Sequence, residues 1–165
     1  MRPVPALLLL GANRGDRAGN LRRAVAALRR LDGARVVKVS RVYETAPLGP
    51  SRRPYLNLAV KIMTSRTPMG LLIEAKILEA AAGRKPGARW SARPLDIDLI
   101  SHGKSRARTP WLSVPHPLAA SRAFALAPLA EVAPDWKPDG RRAARALLAV
   151  LKPNPRIVKL WPHGR

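Results

Sequence analysis

The triplet Asp96-Ile97-Asp98 carries the sharpest chemical signal in the chain. It lies in the alternating run Leu95 to Ile100, and the two-residue period of a strand sends both carboxylates to one face, roughly 7 Å apart, while Leu95, Ile97 and Leu99 take the other. Two carboxylates at that spacing suit Mg²⁺, which binds one or two of them and completes its shell with water and substrate phosphates. Taken alone, the pattern also fits a half-exposed strand whose polar face meets water. Just upstream, Arg84-Lys85-Pro86-Gly87-Ala88-Arg89-Trp90-Ser91-Ala92-Arg93 puts four bases and a tryptophan into ten residues, with Gly and Pro arguing for a mobile loop. An acid pair beside clustered cations supplies the two parts of a triphosphate site, metal on the oxygens and Arg or Lys against developing charge. By itself the segment is equally a basic surface loop with Trp90 in the core.

Downstream, Val114-Pro115-His116-Pro117 holds a histidine in a proline-stiffened turn, and Arg122 and Phe124 follow two residues apart. A lone histidine beside prolines is more often a structural hydrogen-bonding group than a catalyst. His102 and His163 have no acid or second histidine at metal-ligand spacing and are assigned no site. Gly11-Ala12-Asn13-Arg14-Gly15-Asp16 lacks both the Lys-Ser/Thr ending of a P-loop and the G-x-G-x-x-G spacing, so it reads as a turn shaping the wall of the site.

The elements that would position these groups follow from periodicity. Ala6 to Leu10 reads as a buried strand, and Ala18, Leu21, Val25 and Leu28 mark an amphipathic helix closed by Asp32-Gly33. Val36 to Tyr43 reads as a strand, followed by a turn-rich segment from Thr45 to Pro54 whose length is typical of functional loops. From Tyr55 to Thr64 the alternation assigns Leu56, Leu58, Val60 and Ile62 to the core, leaving the face with Tyr55, Asn57, Ala59 and Lys61 open for binding. Thr67-Pro68 starts a helix that runs to Gly83. The order β-α-β-β-α-β is the split βαβ unit of ferredoxin-like folds. Helical segments at 118–132 and 141–151 would pack outside it, giving an α+β, three-layer α/β/α sandwich with extra C-terminal helices. The proline-bearing tail, 152–165, reads as irregular, and no repeat or linker divides the single domain 1–165.

A chain of 165 residues, 47% hydrophobic, suits one compact domain. The absence of cysteine excludes a disulfide scaffold, a zinc ribbon and a thiol nucleophile. Ala6 to Leu10 is far shorter than the roughly 20 residues of a membrane helix, and Met1 to Pro5 is a poor signal-peptide start, so a soluble cytoplasmic protein is expected. The net charge of +21 predicts attraction to polyanions, whether nucleic acid, an anionic membrane surface or nucleotide phosphates. Charge does not choose among them. Much of the surplus, 23 Arg and 8 Lys in an Ala-rich background, is also what biased composition would give.

With these pieces in order, the sequence resembles the 6-hydroxymethyl-7,8-dihydropterin pyrophosphokinase family over about Leu7 to Trp136. The resemblance rests on Leu10 to Asp16, Tyr43-Glu44-Thr45-Ala46-Pro47-Leu48-Gly49-Pro50, Tyr55-Leu56-Asn57, Arg89-Trp90 with Arg93-Pro94-Leu95-Asp96-Ile97-Asp98-Leu99, and Val114 to Pro117. It implies a ferredoxin-like enzyme of folate biosynthesis that transfers pyrophosphate from ATP to the pterin hydroxymethyl oxygen and releases AMP, with two Mg²⁺ ions. By the same resemblance Asp96 and Asp98 hold metal. Arg84, Arg89, Trp90 and Arg93 belong to a catalytic loop. Glu79, Arg84, Arg93, His116 and Arg122 meet ATP, and Thr45, Leu48, Tyr55, Asn57 and Phe124 form the pterin pocket. The chain departs from the pattern at Lys85 or Pro86, where a second arginine is usual, at Ser91-Ala92 and at Pro94. The expected partners are the two small substrates, with no specific nucleic acid, no membrane and a monomeric chain. Two further readings are a pterin-binding relative with altered or lost activity and a basic ferredoxin-like RNA binder. Against the latter, the central strands lack the paired aromatics such domains stack on bases.

Overall fold

A computed structural model describes residues 2–46, 53–85, 92–151 and 158–161. Strand β1 (Val4–Ala12) is a continuous apolar run because both its faces are covered; Ala6 to Leu10 are all buried. Helix α1 (Arg17–Arg29) begins at Asp16, whose carboxylate accepts the Gly19 N–H at 2.9 Å. Strands β2 (Ala34–Val39), β3 (Tyr43–Thr45) and β4 (Tyr55–Thr64) follow, then α2 (Pro68–Ala81), with Thr67 as its cap and Pro68 in its first turn. Strand β5 (Asp96–His102) leads to a small hairpin, β6 (Ala107–Arg108) and β7 (Ser113–Val114), and then to α3 (Ala123–Val132), α4 (Ala144–Leu151) and β8 (Val158–Leu160).

The sheet order is β5-β1-β4-β3-β8, with β2 also on β4, and every pairing is antiparallel. Period 2 divides the strands between two cores. Leu8, Leu10, Val60, Ile62, Ile97 and Leu99 face Leu21, Ala24 and Leu28 of α1 and Leu71 and Ala75 of α2. Leu7, Leu9, Ala59 and Ile100 face Ala125, Leu129 and Val132 of α3. Each fully buried Leu or Ile contributes roughly 1.5–3 kcal/mol, so both faces are firmly held. The result is three layers, helix, sheet and helix, with α4 packed on α3.

Several sequence expectations change. The strand read over Val36 to Tyr43 is broken at Ser40, whose N–H donates to the Ala59 carbonyl at 2.9 Å while its Oγ accepts the Ala59 N–H at 2.9 Å. A side chain stands in for the backbone ladder there, the register shifts between Val36 and Lys38, and the strand resumes as β3. The face of β4 expected to be open is closed along most of its length: Ala59 is buried under α3 and Asn57 is buried too. Helices α3 and α4 start later than the apolar pattern suggests, at Ala123 and Ala144, after turns. The tail read as irregular contains β8, which pairs with β3, and the Trp161 N–H continues the edge by donating to the Val42 carbonyl at 2.9 Å. A short edge strand with unpaired groups accepts such a partner. Among the described residues no helix is long and apolar enough to cross a membrane.

Candidate active site

A cavity of about 260 Å³ opens on the α3 side of the sheet. Its floor follows from strand register: Asp96 of β5 lies opposite Gly11 of β1, and Gly11 opposite Asn57 of β4. All three belong to one face, and the glycine between two polar side chains leaves the floor low. A Cβ at Gly11 would lie 3.0 Å from Asn57 Oδ1 and 3.6 Å from Tyr55 Cδ1. The walls are Thr45, Tyr55, Arg93, Asp98, His116, Arg122 and Phe124, with Leu9 and Ala46.

At the β5 end the alternation holds as the sequence predicts. Leu95, Ile97 and Leu99 are buried against the helices, and both aspartates turn to the cavity. Asp96 is held by Arg84 Nη1 at 2.6 Å and by Arg93 Nη1 at 3.0 and 2.9 Å to its two oxygens. Asp98 makes no ion pair or side-chain hydrogen bond among the described residues, and burial, with Asp96 beside it, pushes its carboxyl up to about 6. Two convergent carboxylates, one of them lacking a bonded cation and poorly solvated, are a donor set that fits a divalent cation with oxygen ligands.

Arg93 is aimed by its backbone. Asn13, itself buried, accepts the Arg93 N–H on Oδ1 at 2.6 Å and donates its own N–H to the Arg93 carbonyl at 3.0 Å. Asn20 Nδ2 donates to the Pro94 carbonyl at 2.9 Å. His116 is fixed in the same way: its N–H donates to Ile100 O at 2.8 Å, and its Nδ1 accepts the Leu118 N–H at 3.2 Å after a cis Val114–Pro115 bond. Burial, and then Arg122, push the His116 imidazole below its usual range. With Nδ1 accepting the Leu118 N–H, Nε2 is the ring atom left to donate to an oxygen acceptor. Arg122 sits 5.7 Å from the Phe124 ring centroid.

The other end combines two aromatic rings with a buried amide. Asn57 Nδ2 donates to Thr45 Oγ1 at 2.8 Å, which fixes the amide between Gly11 and Thr45. Tyr55 stands beside it, its phenol pushed up by burial, and Phe124 both packs on the α3 core and lines the cavity.

The cavity thus brings together Thr45, Tyr55, Asn57, Arg93, Asp96, Asp98, His116, Arg122 and Phe124 from the sequence reading. Arg84 reaches it only through Asp96. Glu79 does not line it: the residue, 2% exposed, lies on α2 across the sheet from α3, accepting the Ile97 N–H at 2.8 Å and pairing with Arg84 at 2.5 Å and Lys76 at 3.0 Å. It anchors β5 and Arg84 from beneath. Leu48, Arg89 and Trp90 lie outside the described residues. The sequence reading gives Gly11 and Asn13 only a place in a turn shaping the wall of the site, with no individual role, and gives Asn20 none. The polar Gly11 to Asp16 loop directly after a buried strand was the available signal, but its partners are far along the chain.

The model of the family described as 7,8-dihydro-6-hydroxymethylpterin-pyrophosphokinase matches residues 7–134. The chain is 42% identical over 128 residues to the 2-amino-4-hydroxy-6-hydroxymethyldihydropteridine pyrophosphokinase of Bacillus subtilis (strain 168), covering 77% of each. To the enzyme of the same name from Methylorubrum extorquens it is 42% identical over 150 residues, covering 90% of this chain and 94% of the relative. Among solved structures it is similar to wild-type Plasmodium falciparum HPPK-DHPS, with a TM-score of 0.68 and 14% identity over 90% of this chain. It is also similar to an HPPK-DHPS in complex with substrates, with a TM-score of 0.71 and 12% identity. The chain spans 45% and 43% of those two longer chains, and the likeness to them is one of fold.

Proposed function

The chain belongs to the 7,8-dihydro-6-hydroxymethylpterin-pyrophosphokinase family, and from that premise we propose that it transfers the pyrophosphoryl group of ATP to the hydroxymethyl oxygen of 6-hydroxymethyl-7,8-dihydropterin, releasing AMP, in folate biosynthesis. We read the sheet order as a ferredoxin-like core, with β2 and β3 as its divided edge strand. One observation carries the functional reading: a single cavity joins an acid pair and three cationic or donor side chains to a slot with an aromatic ring and a buried amide.

In this reading Asn57 and Thr45 present polar atoms to the edge of the pterin, and Tyr55 and Phe124 flank its faces. Asn57 cannot rotate away, because Thr45 holds its amide, and so it selects a ring edge with the matching donors and acceptors. Arg93 and Arg122 bind phosphate oxygens, and His116 donates from Nε2. Mg²⁺, expected as two ions on Asp96 and Asp98, would bring neutralisation of polyphosphate charge and a more acidic attacking hydroxyl. The protein's own part is positioning, since an in-line displacement with ATP as donor and an alcohol as acceptor needs no protein nucleophile. The reading includes a cytoplasmic monomer. The RNA-binding alternative is not favoured, because the sheet face such a domain would use is buried beneath α3 at Leu9, Ala59 and Ile100.

The test is AMP release from ATP and Mg²⁺ with and without the pterin. Pterin-dependent AMP that disappears in Asp96→Ala and Asp98→Ala is expected. Retained pterin binding without AMP in the unaltered protein would instead favour a binding relative.

A further inference from the structure

Arg17, the first residue of α1, ties together segments that are remote in the chain. Its Nη1 donates to the Pro54 carbonyl at 2.8 Å, its Nη2 meets Glu44 Oε2 at 3.2 Å, and its guanidinium carbon lies 5.2 Å from the centroid of the Trp161 ring. Pro54 immediately precedes Tyr55, and Glu44 immediately precedes Thr45. Both followers line the ring end of the cavity. The Arg17 and Glu44 side chains are only 24% and 13% exposed, so this pair is not a screened surface contact. Trp161 is itself placed by β8, which pairs Leu160 with Tyr43, Lys159 with Glu44 and Val158 with Thr45, and by its N–H on the Val42 carbonyl.

We propose that Arg17, seated on Trp161, is a positioning residue for the flat-ring substrate, and that β8 with Trp161 completes the pterin end of the site from the far edge of the sheet. The reasoning is geometric. Thr45 is the last residue of β3, a three-residue strand that would otherwise be an edge, and Tyr55 is the first residue of β4. Strand ends fray, and the amide of Asn57 depends on Thr45 Oγ1 staying in place. A guanidinium locked by an acid, a carbonyl and an aromatic face spends little of its rotamer entropy again when substrate arrives, which is what preorganisation of a binding wall requires. Among the described residues, neither Arg17 nor Trp161 lines the cavity where Arg93, Asp96 and Asp98 stand.

This inference rests on the proposed reading of which end takes the pterin, and two measurements separate the two. Steady-state AMP release is followed in Arg17→Met, Trp161→Ala and Trp161→Phe, varying each substrate in turn. The expected result is a pterin KM raised roughly five- to tenfold in the first two, with kcat and the ATP KM within about twofold of the unaltered protein and with Trp161→Phe close to normal. Backbone hydrogen exchange over 43–46 and 55–57, expected to quicken in Arg17→Met, reports the clasp without needing turnover. Unchanged exchange and pterin KM, a uniform loss that includes the ATP KM and kcat, or Trp161→Phe as damaging as Trp161→Ala would each overturn it. An unaltered protein that makes no AMP while its exchange responds to Arg17→Met would sink the functional reading and leave the clasp standing.

Discussion

Asp98→Asn should make the metal-free protein more stable at neutral pH while abolishing turnover. The carboxyl of Asp98 is raised from 3.8 to about 6, first by burial and then by Asp96, with Glu79 adding to both; Lys76 and Arg93 pull the other way without winning. A native pKa above the unfolded one means that the folded chain holds this proton more tightly. Stability from the group is therefore complete below 3.8 and is lost as pH rises through 6. A gap of about two units corresponds to roughly 3 kcal/mol of native-state destabilisation at about pH 7.5. Asparagine keeps the shape and never ionises, so most of that should be recovered. For a chain of this size each kcal/mol moves Tm by about 2–4 °C, which sets the expected gain at roughly 5–10 °C. The assay is a pair of thermal melts with EDTA across pH, and the gap between variant and parent should close as pH falls below about 4. Adding Mg²⁺ with a non-hydrolysable ATP analogue should narrow it from the other side, by stabilising the parent through mass action. A variant no more stable than the parent at neutral pH, or a gap that ignores pH, would refute the idea that an uncompensated carboxylate sits at this point of β5.

Three further outcomes follow from the geometry. Gly11→Ala should push on Asn57 Oδ1 at 3.0 Å and raise the pterin KM by about tenfold or more, with a smaller effect on ATP, read by steady-state kinetics. Asn13→Ala should cost about 1–3 kcal/mol in denaturant unfolding and also lower kcat, because the buried amide that aims Arg93 is gone. Glu79→Gln keeps the bulk but removes the charge shared by Arg84 and Lys76; a loss of about 1–3 kcal/mol in denaturant unfolding is expected, with weakened turnover as Arg84 falls back on Asp96 alone.

The legible parts of this protein were those governed by local period. Asp96 and Asp98 could be placed on the polar face of a strand because side chains alternate whatever the neighbours are, and the structure puts them there beside Leu9 and Gly11. The α2 cap at Thr67 is likewise a local hydrogen bond, three residues in reach. What could not be read was depth. Glu79 has the composition of a helix-surface acid, and only the approach of the Ile97 N–H from β5 makes it a buried anchor. Alternation puts Asn57 on an open face because it says which side a residue takes but not whether another layer covers that side, and α3 covers it at Ala59. Strand β8 escaped notice because it exists only by pairing with β3, more than a hundred residues earlier in the chain. Prolines around it, read as disrupting order, leave Val158 to Leu160 available to pair.

The charge balance of the chain bears on the acid pair. The chain carries 31 bases against 10 acids, so a carboxylate here almost always has a cation near. Asp16 pairs with Arg23, Glu44 with Arg17, Glu74 with Arg66, Glu131 with Arg41 and Asp135 with Arg145; Asp139 accepts the Arg141 and Arg142 N–H groups instead, and Asp32, without an ion pair among the described residues, is exposed to water. At the site Asp96 binds Arg84, which Glu79 also holds from outside the cavity. Asp98, half-buried, makes no ion pair among the described residues although Arg93 reaches its neighbour two positions away. With bases so abundant, a purely structural acid at this depth would gain by recruiting one, because an uncompensated charge out of water is strongly unfavourable. On the proposed reading, a divalent ion carried on the polyphosphate supplies the positive charge that Asp98 does not receive from an Arg or Lys among the described residues.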